Sequence, residues 1–185
     1  MKYLIKPSVT LIITAMFVVA SVSVVHAFTY EPIQRQQRLV QERTMQQVLP
    51  GANNYIPLDI ELTGDIIGLY RAELNGEKFG YVVELAMPGY SDDIVMMVGI
   101  CSVEEKVLGV RILRHLETPG LGALITRESF WRKFDDRPLL PITVVKGGAV
   151  ENQIDAISSA TISTVAVTRG VNQAIAWYVE GGEQQ

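Results

Sequence analysis

The stretch from Val9 to Phe28 limits the fold of this chain more than any other feature. Its residues, VTLIITAMFVVASVSVVHAF, include no lysine, arginine, aspartate or glutamate. About 20 such residues in a helix span the hydrocarbon core of a bilayer. Lys2 and Lys6 precede the stretch, and the positive-inside tendency then places the N-terminus in the cytoplasm. The sequence therefore predicts one transmembrane anchor at residues 1–28 and an exported remainder.

A cleaved signal peptide is the alternative interpretation of the same segment. Val25-His26-Ala27 is an acceptable small-residue cleavage pattern behind a basic N-terminal region. We favour a retained anchor because the apolar stretch is long for a signal peptide. Both interpretations place the residues after Phe28 outside the cytoplasm.

Charge and cysteine content exclude several classes of function. After residue 28 the chain carries 14 basic and 20 acidic residues, a net charge of −6. Such a domain would be repelled by phosphate backbones, so no nucleic-acid partner is expected. Cys101 is the single cysteine, and with two histidines in the chain no metal site is predicted.

The residues after the anchor predict a linker followed by one domain. An amphipathic pattern at 33–49, IQRQQRLVQERTMQQVL, predicts a helix that Pro50-Gly51 ends, and we assign 29–57 to this linker. The domain is assigned to 58–185. Nearly alternating apolar residues predict two antiparallel hairpins, with strands at 66–74 and 78–87, and at 94–103 and 107–114.

Helical signals dominate the end of the chain. Apolar spacing predicts a helix at 162–179, preceded by a short helix or turn at 129–134 and a strand at 142–146. The fold class expected is α+β, an antiparallel sheet of about four strands with segregated helices behind one transmembrane helix.

A run of hydroxyl side chains, DAISSATIST at 155–164, opens the last helix. One interpretation is N-capping, in which these side chains accept hydrogen bonds from the first-turn amides. The other is a phosphate site, where the free amides and the helix dipole favour an anion. In the second case a threonine hydroxyl could also accept a phosphoryl group.

A second motif, HLETPGLG at 115–122, is glycine-containing and predicts a loop. The proline fixes a turn, and Gly120 and Gly122 permit the main chain to lie flat against a planar ring. A simple surface turn with Leu121 tucked into the core is the alternative.

The two motifs together resemble those of a known family. The string from Asp155 to Thr161 resembles the D-x-x-[ST]-G-A-[ST] signature of bacterial FMN-binding domains, and residues 115–122 resemble the H-x-E-T-P-G-L-G loop of the same domain. GYSDDI at 89–94 followed by VGI at 98–100 is a third, weaker match. The chain is similar in this way to the G subunits of Rnf (Rsx) electron transport complexes and to the C subunits of sodium-pumping NADH:quinone oxidoreductases.

The resemblance implies a membrane-anchored flavoprotein on the periplasmic side of the bacterial inner membrane. A flavin transferase, for which Asp155 is a recognition residue, would link FMN to Thr161 through a phosphoester. The implied role is to relay electrons among the other membrane subunits of an Rnf-type ferredoxin:NAD⁺ oxidoreductase coupled to ion translocation. The resemblance also implies that the cofactor contacts Ser158, Ser159, Ala160, Glu117, Thr118, Gly120, Leu121 and Gly122.

Ser159 departs from the family signature, which has glycine at this position. We expect serine to be tolerated there because the position can take an ordinary turn conformation. Two alternative functions stay open. One is a subunit of the related NADH:quinone oxidoreductase, and the other is a non-catalytic exported scaffold that binds an anion or a partner.

Overall fold

The computed structural model describes residues 2–60, 62 and 64–181. The predicted domain ranges also include residues 1, 61, 63 and 182–185, which lie outside this part of the chain. The helices are α1 (Lys2–Val48), α2 (Glu128–Trp131) and α3 (Thr161–Val179), with 3₁₀ segments at Gly122–Thr126 and Arg132–Phe134. The strands are β1 (Asn54–Pro57), β2 (Ile66–Leu74), β3 (Glu77–Pro88), β4 (Asp93–Cys101), β5 (Lys106–Arg114), β6 (Arg137–Pro138), β7 (Thr143–Val145) and β8 (Gln153–Asp155).

Helix α1 runs through the apolar stretch and the predicted helix at 33–49 and ends at Val48, whereas β1 occupies the last four residues of the predicted linker. By length and composition it can cross a membrane, and the large apolar side chains of its stretch from Val9 to Phe28 are exposed, with Phe17 and Phe28 at 73% and 80%. The chain forms two compact units, Met1–Gln41 and Glu42–Gln185. The division at residues 28 and 57 stays a prediction, as does retention of the anchor.

The main sheet is antiparallel, with six strands in the order β1-β2-β3-β4-β5-β6. Both predicted hairpins are confirmed, and the turn of the first has positive φ at Asn75 and Gly76, which suits the twist of a tight hairpin. The expectation of about four strands was wrong, because β1 and β6 extend the edges. They are four and two residues long, too short to show an alternating pattern.

Apolar side chains cover both faces of the central strands. On one face Val83, Met87 and Met96 belong to a core that α3 completes. On the other face, Val82 and Met97 pack with Val48 at the end of α1. From Ile94 to Cys101 every residue of β4 is therefore buried. The sheet is thus a rigid base for the start of α3.

Candidate functional site at the start of helix α3

Helix α3 begins without a side-chain cap. Ala160 is the N-cap residue, and no side chain accepts a hydrogen bond from the first turn. The amide of Thr164 is the first to find a partner, donating to the carbonyl of Ala160 at 3.0 Å. Within the described chain the amides of Thr161, Ile162 and Ser163 have no partner. The hydroxyl run is thus not an N-cap, and the free amides favour an anion.

Burial separates the hydroxyls of the run into two groups. Thr164 Oγ1 accepts a hydrogen bond from the Ile157 amide at 3.1 Å and donates to the Ala160 carbonyl at 3.0 Å. Ser163 Oγ is also buried and donates to Glu117. Ser158, Ser159 and Thr161 are exposed, and the Thr161 hydroxyl has no hydrogen bond within the described residues. Two hydroxyls of the run therefore serve the fold, and the Thr161 hydroxyl is left exposed.

Glu117 connects three segments around the start of α3. Its Oε1 accepts hydrogen bonds from the amides of Tyr90 and Ser91, at 2.8 and 3.1 Å. Its Oε2 accepts the hydroxyl of Ser163 at 2.5 Å. The residue is only 5% exposed, so the carboxylate is an internal hydrogen-bond acceptor and not a surface charge. We call this set of three hydrogen bonds to Glu117 the clasp.

Two glycines make room for this clasp. A Cβ on Gly122 would collide with Oε2 of Glu117 and lie 2.7 Å from Ser163 Oγ. A Cβ on Gly89 would lie 2.5 Å from Oε1 of Glu117. Gly122 in the HLETPGLG loop thus permits close approach to the carboxylate.

A cleft of about 540 Å³ opens at this point, a volume within the usual range for small-molecule and cofactor sites. Of the ten residues predicted for the site, seven line it. The full lining is Tyr90, Glu117, Thr118, Leu121, Gly122, Ser159, Ala160, Thr161, Ile162 and Ser163. Sequence reasoning did not assign Tyr90, Ile162 and Ser163 to the site, although each lies in one of the quoted motifs or in the run at 155–164.

Three predicted residues lie outside the lining. Ser158 and Gly120 are exposed neighbours of it. Asp155 ends β8, where its Oδ1 accepts the amide of Ala149 at 3.0 Å and its carbonyl accepts Lys133 Nζ at 3.0 Å. The observed contacts of Asp155 thus hold the preceding loop, and its recognition by a transferase stays a prediction.

Comparison with family models finds a match in each part of the chain. Residues 89–176 match the family model of the FMN-binding domain, and residues 1–48 match the RnfG N-terminal region. The G subunit of the ion-translocating oxidoreductase complex of Methanosarcina acetivorans is 35% identical over 177 residues, covering 90% of this chain and 93% of that protein. The chain belongs to the G-subunit family of ion-translocating oxidoreductase complexes.

Two further comparisons give another similar G subunit and a solved structure of similar fold. The G subunit of the Na⁺-translocating ferredoxin:NAD⁺ oxidoreductase complex of Acetobacterium woodii is 35% identical over 151 residues, covering 72% of this chain and 71% of that protein. The crystal structure of the C subunit of the Na⁺-translocating NADH-quinone reductase from Parabacteroides distasonis matches with a TM-score of 0.62 at 19% identity, covering 80% of this chain and 94% of that one. The second likeness shows the fold, which is the α+β FMN-binding domain predicted.

Ser159 of this G-subunit family member does not take the ordinary turn conformation that we expected. Its φ is +68°, in the left-handed region that favours glycine. The glycine of the family signature is therefore explained by the backbone, which must reverse just before the buried N-cap Ala160. Serine holds this conformation at a cost in strain.

We expect Ser159→Gly to raise the free energy of unfolding of the G-subunit family member by about 0.5–1 kcal/mol. The strain relieved at this left-handed position is about 1–2 kcal/mol. This exceeds the free energy by which the greater conformational entropy of glycine stabilises the unfolded chain. Urea unfolding of the full chain in detergent measures the change. The matched control is Ser158→Gly, at a position without positive φ, which should be neutral or destabilising. Equal destabilisation by both variants would show that position 159 is unstrained.

The pKa of Glu117 lies below its ordinary value. Burial alone raises this pKa, but the hydrogen bonds donated by Ser163, Ser91 and Tyr90 lower it by more. Between the folded-state pKa and the ordinary pKa, the carboxylate of the folded state therefore stays deprotonated, whereas that of the unfolded chain takes up a proton. The resulting stabilisation is complete above the ordinary pKa of about 4.3 and is lost as the pH falls through the folded-state pKa.

Glu117→Gln should therefore make the free energy of unfolding of the domain less sensitive to acid. We expect the difference in free energy of unfolding between wild type and variant to be constant above about pH 5 and to shrink below about pH 4.3. Urea unfolding of both chains at several pH values measures that difference. A difference that does not change with pH would contradict a lowered pKa for Glu117.

Proposed function

We propose that this G-subunit family member carries FMN joined through its phosphate to Oγ1 of Thr161. We propose further that it relays electrons within a ferredoxin:NAD⁺ oxidoreductase complex coupled to ion translocation. The observation that carries the proposal is the exposed, unpartnered hydroxyl of Thr161 at the mouth of the cleft. The transferase would take FMN from a flavin phosphoanhydride: the bond from Thr161 Oγ1 to phosphorus forms, the P–O–P bond of the donor breaks, and the leaving nucleotide phosphate takes up the hydroxyl proton.

The start of α3 suits a phosphate. The amides of Thr161, Ile162 and Ser163 are unpaired in the described chain and lie at the positive end of a 19-residue helix. Such a helix terminus binds phosphate with its amides and its dipole. The residues that would carry the ester therefore also stabilise its charge.

The rest of the cleft suits an aromatic ring system. Tyr90, Leu121 and Ile162 line it and are 71%, 44% and 53% exposed, an unusual exposure for large apolar side chains in one place. A planar cofactor would cover part of this apolar surface. FMN, when bound, supplies the acceptance and donation of electrons, and the protein supplies binding and orientation.

The N-terminal unit supports a membrane-bound role. Helix α1 is long and apolar enough to span a bilayer, and the relatives are subunits of ion-translocating complexes. Lys2 and Lys6 favour an FMN-binding domain on the periplasmic side of the inner membrane. Other membrane subunits of the complex and a flavin transferase are then the expected partners.

The test is expression of the full chain with an active flavin transferase, followed by flavin fluorescence on a denaturing gel and by intact mass. We expect a fluorescent band and a mass increase equal to FMN less one water. A band without fluorescence would overturn the proposal, provided that the same transferase labels a control protein. It would favour the exported scaffold that binds an anion without covalent flavin.

A further inference from the structure

Glu117 holds a buried negative charge, with the imidazole of His115 as its neighbouring titratable group. Within the described chain no lysine or arginine forms an ion pair with it, and its three hydrogen-bond donors are two amides and one hydroxyl. A buried charge costs free energy unless it is compensated, and neutral donors compensate it only through hydrogen bonds. A neutral glutamine at 117 could accept the same two amides. A folded Glu117→Gln chain is therefore expected, with the change in stability predicted above.

The clasp joins parts of the chain that are distant in sequence. Tyr90 and Ser163 lie 27 and 46 residues from Glu117, and each lines the cleft. The bond to Ser163 joins the first turn of α3 to Glu117, in addition to the packing of α3 on the 3₁₀ segment at Gly122–Thr126. The position of Thr161 relative to the loop at 118–122 thus depends in part on the bond between Glu117 and Ser163.

The charge also faces the space that a flavin would occupy, since Glu117 lines the same cleft as Thr161. Each electron added to a flavin ring adds a negative charge unless a proton accompanies it. A fixed carboxylate in a poorly solvated wall opposes that added charge. Its effect on the ring is stronger than that of a solvated surface carboxylate.

We propose that Glu117 is a positioning residue for FMN loading whose charge also lowers the reduction potential of the bound flavin. This inference rests on the proposed function. The positioning role depends on the hydrogen bond to Ser163, and the effect on the reduction potential depends on the negative charge.

Two variants separate these roles in the full chain, expressed with flavin transferase. Glu117→Gln removes the charge, keeps one oxygen for the two amides and places an NH2 donor where Ser163 Oγ can accept it. Ser163→Ala keeps the charge and removes the bond to α3. The matched control is Glu84→Gln on β3, outside the cleft, where Glu84 accepts the hydroxyl of Tyr70 at 3.2 Å. Intact mass gives the rate of FMN loading, and a dithionite titration with reference dyes gives the potential.

We expect Glu117→Gln to shift the flavin potential to more positive values, Ser163→Ala to slow FMN loading several-fold, and the control to change neither. An unchanged potential in FMN-loaded Glu117→Gln would overturn the role of the charge. Wild-type loading in Ser163→Ala would overturn the positioning role. A wild-type chain that takes up no covalent FMN would instead sink the proposed function, so the two failures are distinguishable.

Discussion

Thr161→Ala is expected to abolish covalent flavin while leaving the fold intact. The substitution removes the one hydroxyl of the run that lines the cleft, is exposed and lies at the first position of α3. Because the side chain of Thr161 caps nothing, the free energy of unfolding should change by less than about 0.5 kcal/mol. Flavin fluorescence on a denaturing gel measures attachment, and thermal unfolding measures the fold.

Ser158→Ala is the matched control for this result, because Ser158 is exposed but does not line the cleft. The Ser158→Ala chain should load FMN like the wild type. A Thr161→Ala chain that keeps covalent flavin would move the link to Ser158 or Ser159. Ser163 and Thr164 are poor alternatives because both are buried and hydrogen-bonded. Undiminished electron transfer through the variant complex would contradict the relay role.

The largest expected loss of stability comes from Gly99→Val on β4. A Cβ at Gly99 would collide with the carbonyl oxygen of Val48 and lie 2.5 Å from its carbonyl carbon. These are backbone atoms at the end of α1 and cannot rotate away. We expect the free energy of unfolding to fall by about 3 kcal/mol, at the upper end of overpacking costs. Urea unfolding followed by tryptophan fluorescence measures the loss.

Gly68→Val provides the comparison for Gly99→Val. A Cβ at Gly68 would approach the side-chain ends of Glu84 and Tyr70 at 3.1 and 3.3 Å, and flexible side chains can move. We therefore expect a clearly smaller loss at Gly68. Equal losses would mean that the end of α1 is not held against the sheet as the structure shows.

Local signals predicted the sheet well. Alternation and the Asn75-Gly76 turn placed β2 and β3 within a residue of their observed bounds, because a hairpin is defined by contacts near in sequence. β6 and β8 were not predicted. They have two and three residues, too few to show a pattern, and each pairs with a strand that is not joined to it by a tight turn.

The sequence predicted individual residues of the site but not the hydrogen bonds between them. Motif resemblance singled out Thr161 and Glu117, and both line the cleft. The hydrogen bond between Glu117 and Ser163 joins residues 46 apart, which no local pattern reveals. The left-handed backbone of Ser159 was also missed, since serine at a turn carries no sign of positive φ.

The clasp between Glu117 and Ser163 also has a consequence for the order of biosynthesis. The strands from β2 to β5 pair with their neighbours in the chain and can form early, because their contacts are local. The cleft needs α3, which the ribosome makes after every strand of the sheet. A nascent or truncated polypeptide would hold the HLETPGLG loop but no acceptor. Cofactor attachment would thus mark only chains in which α3 has been made and has folded onto the sheet.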